Sequence, residues 1–278
     1  EFHMSDLDDN DMEIISKSDM NREVSPQLDE QLITDIIKKD AYGKNTDLTL
    51  RPDKDGLTLA GNSQSLRGDF TRMRSRINPG NLNRELLIKA SKIKGKAEGL
   101  TAVDATAGLG EDAFLLAAAG FSVRLYERDP VIAALLHDAL SRAAAIPDLA
   151  AIVGRMELFE TDSLTALPQL GFNPDVVLLD PMFPARQKSA LIKKKFQLLQ
   201  QLEQPCTDED ALLHAAIASA PYKIVIKRPL KGAWLADRKP DYSLKGKTIR
   251  YDCIVLTNSG REGGLVECTK QTQRMAER

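Results

Sequence analysis

Three acids in this chain stand where an apolar run gives way to a turn, and each could do chemistry there: Asp104, Glu127 and Asp180. Asp104 follows the run Leu100 to Val103 and precedes the glycine-spaced turn Thr106-Ala107-Gly108-Leu109-Gly110, after which Asp112 to Ala119 has the composition of a helix. In an open α/β sheet such a strand-turn-helix unit lies at the carboxyl edge, where unpaired N–H groups at the helix start meet nucleotide-like ligands. Glycine there lets the main chain approach the ligand closely, since no Cβ intervenes. Gly108, Gly110 and Ala113 satisfy a G-x-G-x-x-A spacing, and Glu127 ends the next strand, where a carboxylate can accept hydrogen bonds from a ribose. The spacing alone suits several adenine-containing ligands. A glycine turn that merely packs helix on strand would look the same.

Two features narrow the choice. Asp104 lies four residues before Gly108, an acid-x-x-x-Gly-x-Gly order similar to that of methyltransferases. A carboxylate at that strand end attracts the cationic amino and sulfonium groups of S-adenosylmethionine and repels a pyrophosphate. The second feature is Asp180-Pro181-Met182-Phe183-Pro184, delivered to the same edge by the wholly apolar run Val176-Val177-Leu178-Leu179. It resembles the Asp/Asn-Pro-Pro-aromatic motif of enzymes that methylate exocyclic amino groups of bases. An aromatic amine is a weak nucleophile because its lone pair is delocalised into the ring. A carboxylate and a carbonyl accepting both N–H bonds would aim that lone pair, and holding the reactants in line would supply most of the rate gain. Phe183 offers a face on which an extruded base could stack. Asp180, Pro181 and Phe183 are therefore the expected catalytic set. Met182 stands where a second proline is common, which leaves the base and atom open. The plain structural alternative makes Asp180 a helix cap and Phe183 core. Asp162-Ser163, after the third strand, could contact the adenine end of the cofactor or simply cap a helix.

The elements that must position these residues alternate. Strands are expected at 100–105, 123–127, 156–160, 176–180, 223–227 and 251–256, and helices at 84–93, 112–119, 130–145, 187–203 and 208–219. Such alternation means a Rossmann-like α/β fold, with a mostly parallel sheet and helices on both faces. This domain is expected over residues 81–258. Before it, residues 28–80 read as a small α+β appendage, with a helix from Leu28 to Ile37 and a hairpin of Leu48-Thr49-Leu50 and Leu57-Thr58-Leu59 around the turn-forming cluster Arg51-Pro52-Asp53-Lys54-Asp55-Gly56. Residues 1–27 comprise Glu1-Phe2-His3, which reads as a cloning remnant, and an acidic leader without apolar periodicity. Residues 259–278 read as a loose tail.

The chain has 278 residues, 42% of them hydrophobic, enough for a sizeable core. Its longest apolar stretch, Phe114 to Val123, is interrupted by Gly120 and falls well short of the ~20 residues of a membrane span. Cys206, Cys253 and Cys268 have no paired spacing, so no metal site is expected and a reducing cytoplasm is the simplest location. The net charge of −2 conceals an asymmetry: residues 67–96 hold nine bases against two acids, and residues 185–250 hold fourteen against six. Two such stretches beside a binding fold suggest a polyanionic partner, although solvated Lys and Arg faces have the same composition.

Three segments together carry a closer resemblance. Asp104-Ala105-Thr106-Ala107-Gly108-Leu109-Gly110, Glu127-Arg128-x-Pro130-Val131-x-Ala133-Ala134-Leu135-Leu136, and Leu179-Asp180-Pro181-Met182-Phe183-Pro184 with Gln187-Lys188-Ser189-Ala190-Leu191 resemble the RsmJ family over roughly residues 80–256. That family comprises bacterial methyltransferases acting on the N2 amino group of a guanine in 16S ribosomal RNA. The resemblance implies S-adenosylmethionine as cofactor, with contacts at Glu111 and Asp112, Glu127 and Arg128, Asp162 and Ser163, and Asp180, beside Asp104, Gly108 and Gly110 of the turn. It also implies ribosomal RNA or the small ribosomal subunit as partner, with Arg72, Arg74, Arg76, Lys188, Lys193, Lys194, Lys227 and Arg228 as candidates to track its backbone. Methylation of adenine N6, cytosine N4 or a protein glutamine is the alternative within the class. An NAD(P)-dependent oxidoreductase, favoured only by the glycine spacing and Glu127, is the alternative outside it.

Overall fold

The structure is a computed structural model that describes residues 48–61, 64–181, 198 and 208–256. The leader, the helix expected from Leu28, the helix expected over 187–203 and the C-terminal tail lie outside the described residues. Three short strands come first, β1 (Thr49–Asp53), β2 (Gly56–Gly61) and β3 (Gln64–Leu66), forming an antiparallel sheet in that order. Helical turns at Phe70–Met73, Arg74–Ile77 and Pro79–Leu82 lead to helix α1 (Leu86–Ser91). Then follow β4 (Thr101–Asp104), α2 (Glu111–Ala118), β5 (Ser122–Glu127), α3 (Pro130–Ala144), α4 (Pro147–Val153), β6 (Met156–Glu160), α5 (Ser163–Ala166) and β7 (Val176–Leu179). The described chain closes with α6 (Glu209–Ala218), β8 (Lys223–Pro229), β9 (Tyr242–Lys245) and β10 (Ile249–Val255).

Seven strands form one sheet in the order β6-β5-β4-β7-β8-β10-β9. β6, β5, β4, β7 and β8 are parallel, while β10 runs antiparallel to β8 and β9. The chain winds outward from β4 to β6, then returns to the far side of β4 as β7. This reversal opens a crevice beyond the carboxyl ends of β4 and β7, where open α/β sheets bind ligands. Asp104 and Asp180 stand at those two ends.

β7 is apolar throughout because both faces of the sheet are covered. Val176 and Leu178 join Phe114, Leu116, Leu125 and Val225 on one side, while Val177 and Leu179 join Val103, Leu213, Ile224 and Ile226 on the other. Side chains alternate across a strand, so each face takes two. Each such burial contributes about 1.5–3 kcal/mol relative to exposure.

The small sheet shares a core with the main domain. Leu48, Leu59 and Leu66 pack against Val131, Ile132 and Leu135 of α3 and against Leu109 of the glycine turn. The Leu57 N–H donates to Asp138 Oδ2 at 3.1 Å, and Arg142 donates to the Gly68 carbonyl at 2.5 Å. The expected hairpin therefore braces the glycine turn from behind. Sequence reading omitted β3, β9 and α4. β3 and β9 are short strands with little apolar alternation, and α4 begins at Pro147 just past the expected helix 130–145 and is only seven residues long.

Candidate active site

The glycine turn is strung between its neighbouring strands. The Ala105 N–H donates to the Leu178 carbonyl and the Ala107 N–H to the Tyr126 carbonyl, each at 3.1 Å. Gly108 and Gly110 both have positive φ, 54° and 73°. The two serve different purposes. A Cβ on Gly110 would lie 2.7 Å from Leu136 Cδ1, so this glycine allows the turn to seat on α3. A Cβ on Gly108 would meet nothing within 4 Å, so this glycine faces an open cradle.

Glu127, at the end of β5, borders that cradle. Its carboxylate accepts the Gly108 N–H and the Asp129 N–H, each at 2.9 Å. Burial pushes its pKa up to about 7 despite those bonds. Arg128 follows, 3.7 Å from Asp162 across the ends of β5 and β6. Asp162 caps α5 by accepting the Leu164 N–H at 2.9 Å, and Ser163 behind it is buried. The capping alternative for Asp162 is thus realised, with its other oxygen turned to Arg128.

At the switch point two carboxylates hold one ammonium, and a third carboxyl is buried near them. Lys227 Nζ, near the end of β8, lies 2.7 Å from Asp112 Oδ2 and 2.8 Å from Asp180 Oδ2. Asp104 is 2% exposed and accepts one backbone N–H, from Thr106 at 3.1 Å. Burial pushes Asp104 up to about 8, and the charges of Asp112 and Asp180 add to the effect. Burial also raises Asp180, against the pull of Lys227. Burial disfavours the Lys227 ammonium, yet the two carboxylates beside it raise its pKa above the ordinary lysine value. The Asp180 N–H donates to Thr106 Oγ1 at 2.7 Å, which ties the end of β7 to the glycine turn. Among the described residues no group of three or more His, Cys, Asp or Glu side chains is arranged to hold a metal ion.

The structure thus brings together Asp104, Gly108, Gly110, Asp112, Glu127, Arg128, Asp162, Ser163 and Asp180 along one edge of the sheet. Glu111, the first residue of α2, is exposed beside them. Pro181 is buried next to Asp180, whereas Met182, Phe183, Lys188, Lys193 and Lys194 lie outside the described residues. Four of the bases expected to face RNA carry ion pairs, buried at Arg228, partly buried at Lys227 and half-exposed at Arg74 and Arg76. Lys227 is committed to Asp112 and Asp180. Arg228 has a side chain 4% exposed and donates to the Ala233 carbonyl and to Glu209. Arg74 forks onto Asp148 at 2.8 and 3.0 Å, and Arg76 onto Glu85 at 2.8 and 2.9 Å. In each case a carboxylate distant in sequence claims the cation. Arg72 remains largely exposed, 3.2 Å from Asp69. Sequence reading also passed over Thr106 and Tyr251. Their signals were position alone: one lies inside the glycine turn, the other pairs in register with Lys227.

The strand order, the crevice at the switch point and the acids at the ends of β4 and β5 define a class I methyltransferase fold. The crystal structure of a SAM-dependent methyltransferase from Neisseria gonorrhoeae superimposes with a TM-score of 0.62 at 28% identity, covering 81% of this chain and 91% of that one. The family described as "Putative SAM-dependent methyltransferase" matches residues 37–256, and the chain belongs to it. Ribosomal RNA small subunit methyltransferase J of Aeromonas salmonicida is 49% identical over 160 residues, 56% of this chain and 63% of that protein. The protein of the same name from Tolumonas auensis is 48% identical over 172 residues, 62% of this chain and 69% of its own length. The chain thus spans between 58% and 69% of the length of the curated relatives it matches, less than two thirds for most of them. No helix among the described residues is long and apolar enough to cross a membrane.

Proposed function

We propose that this protein transfers a methyl group from S-adenosylmethionine to the N2 amino group of a guanine in small-subunit ribosomal RNA, in the cytoplasm. The relatives named above support the RNA class. The observation that carries the chemistry is the surplus of carboxylate at the switch point: Asp112 and Asp180 on the ammonium of Lys227, with Asp104 buried near them on a backbone N–H alone. A pyrophosphate would add negative charge to that surplus, whereas a ligand with a cationic amino acid and sulfonium end would relieve it. The open cradle at Gly108 and the buried carboxylate of Glu127 suit the ribose of the same ligand. The residues present therefore fit the cofactor.

In this reading Asp104 receives the cationic amino end, Glu127 the ribose hydroxyls, and the loops at Arg128 and at Asp162-Ser163 border the adenine. When bound, S-adenosylmethionine supplies an electrophilic methyl carbon whose C–S electron pair returns to sulfur as the new C–N bond forms. Asp180 accepts an N–H from the guanine amino group and thereby orients its lone pair. The Asp180 carboxylate also lies where the proton leaving the methylated nitrogen can be taken up and passed to solvent. Pro181 stiffens the chain after Asp180, and Phe183 is proposed as the stacking surface for the base. Residues 81–258 form the catalytic domain in this scheme, with residues 28–80 as a brace and approach surface. A cleft of about 420 Å³ between Ser75, Arg76, Asn81, Arg84, Ile249 and Tyr251 opens at the carboxyl end of β8 and offers the RNA a polar approach.

The test is transfer of a tritiated methyl group to ribosomal RNA, or to small subunits, from a strain lacking the enzyme, followed by nucleoside analysis. N2-methylguanosine is the expected product, and Asp180→Ala should abolish it. Label on adenosine, cytidine or protein would reassign the acceptor. Failure of S-adenosylhomocysteine to bind in calorimetry would remove the class.

A further inference from the structure

Lys227 satisfies the geometry of neither a surface base nor a simple structural pair. Its Nζ lies between two carboxylates from different elements, Asp112 on α2 at 2.7 Å and Asp180 after β7 at 2.8 Å, and its side chain keeps 26% of its exposure. It takes Oδ2 of Asp180, so that Oδ1 lies outside this ion pair. The Thr106 hydroxyl holds the backbone of the same residue at 2.7 Å. Asp180 is thus pinned at two points, with one carboxylate oxygen reserved.

We infer that Lys227 is a positioning residue for methyl transfer: its ammonium fixes the Asp180 carboxylate in rotation and keeps it ionised, so that the remaining oxygen can accept the substrate N–H. This inference rests on the proposed role of Asp180 and extends it. The groups around Asp180 explain why a counter-ion is required. Asp112 on α2 and Asp104 on β4 add negative charge, Tyr251 on β10 adds no positive charge, and the cations Arg228 and Arg76 are claimed by Glu209 and Glu85. With Lys227 neutralised, partial burial and the charge of Asp112 would together favour the protonated acid, and a protonated Asp180 could donate but not accept at one of its oxygens. Asp112 has a separate task. It also holds the lysine, so that the ammonium is placed by two anchors.

The experiment compares the wild type with Lys227→Met, Lys227→Gln and Lys227→Arg. The readouts are the pH profile of methyl transfer to small-subunit RNA, KM and kcat separately, and the carboxyl titration of Asp180 by carbon NMR in the presence of S-adenosylhomocysteine. Lys227→Met should lower kcat by about 100-fold, with KM for RNA within about threefold. It should also move the acidic limb of the profile and the Asp180 titration to higher pH. Lys227→Arg should recover the wild-type limb and part of the rate. Lys227→Gln, which keeps a hydrogen bond but no charge, should titrate like the Met variant and serves if that variant fails to fold. An unchanged pH limb and Asp180 titration in the Met or Gln variant would overturn the inference, as would a loss confined to KM for RNA. The NMR arm is independent of turnover. A wild type that transfers no methyl to this RNA would therefore defeat the proposed substrate while the Asp180 titration still decided the role of Lys227.

Discussion

Arg250 and Asp252 on β10 meet in a buried ion pair, and on the opposite face of the same two strands Lys227 meets Asp112 and Asp180. Lys227 lies in register with Tyr251, between the two members of the first pair. The first cluster is closed. Arg250 forks onto Asp252 at 2.8 and 2.9 Å, spends its other hydrogens on the carbonyls of Pro229, Leu230, Gly232 and Ala233, and Ser243 donates to Asp252 at 2.5 Å. One positive charge faces one negative charge, and each has further polar partners. The second cluster is open. Two carboxylates share one ammonium, the Asp180 side chain is 38% exposed, and Asp104 beside them has the Thr106 N–H in place of a cation. A balanced buried pair organises the fold, since the desolvation cost is offset within the protein. An unbalanced one keeps a charge to be met by a ligand.

Single substitutions should break the two clusters in different ways. The largest expected effect is at Asp180. Asp180→Ala should lower kcat for methyl transfer by about 10³-fold or more, because the oriented acceptor is lost, while affinity for S-adenosylhomocysteine stays within about tenfold. A variant that retains a tenth of the wild-type rate would remove Asp180 from the reaction. On the closed side, Arg250→Met leaves Asp252 buried without its cation and should destabilise the fold by about 3–5 kcal/mol, read as a fall in Tm and denaturation midpoint. The comparison sharpens at Asp104. Asp104→Asn removes a buried carboxyl that ionises near pH 8 without a counter-ion, so it should raise Tm at pH 8 and above or leave it unchanged, yet weaken cofactor binding by about tenfold or more. A lower Tm together with undiminished affinity would show that Asp104 belongs with the structural pair.

The sequence makes the acids of the open cluster legible and hides the lysine that joins them. Asp104, Gly108, Gly110, Glu127 and Asp180 are recognisable because each occupies a fixed place relative to a strand end, and that place follows from hydrophobic periodicity. The parallel strands are read for the same reason, and the resemblance to a known family rests on the same segments. Partnerships between distant segments are not encoded that way. Nothing local to Lys227 announces that α2 and β7 will each bring it a carboxylate, and a Lys-Arg-Pro string at a strand end looks like a basic patch. Arg74, Arg76 and Arg228 repeat the case: their partners Asp148, Glu85 and Glu209 lie far enough away in sequence that only the packed fold joins them. Short edge strands such as β9 escape because four residues carry too little alternation to register.

The last and smallest expected effect is a pH dependence that separates the open cluster from the closed one. Asp104 is raised from an ordinary 3.8 to about 8 and Glu127 from 4.5 to about 7, both chiefly by burial. A carboxyl whose folded pKa is raised binds its proton more tightly folded than unfolded. Its contribution is therefore fully present below about pH 4 and is lost as pH rises through 7 to 8. The ligand-free protein should lose stability over that window with a slope of up to about 1.4 kcal/mol per pH unit per proton. A ligand with a cationic end favours ionised Asp104, so cofactor binding near pH 7 should release a proton and tighten as pH rises to 8. Calorimetry in buffers of different ionisation enthalpy measures that proton directly. Asp104→Asn should abolish most of the release, whereas replacing Asp252 of the closed pair should leave it in place. Equal release from the wild type and Asp104→Asn would assign the proton to Glu127, and the open cluster would then lose its claim to the cationic end of the ligand.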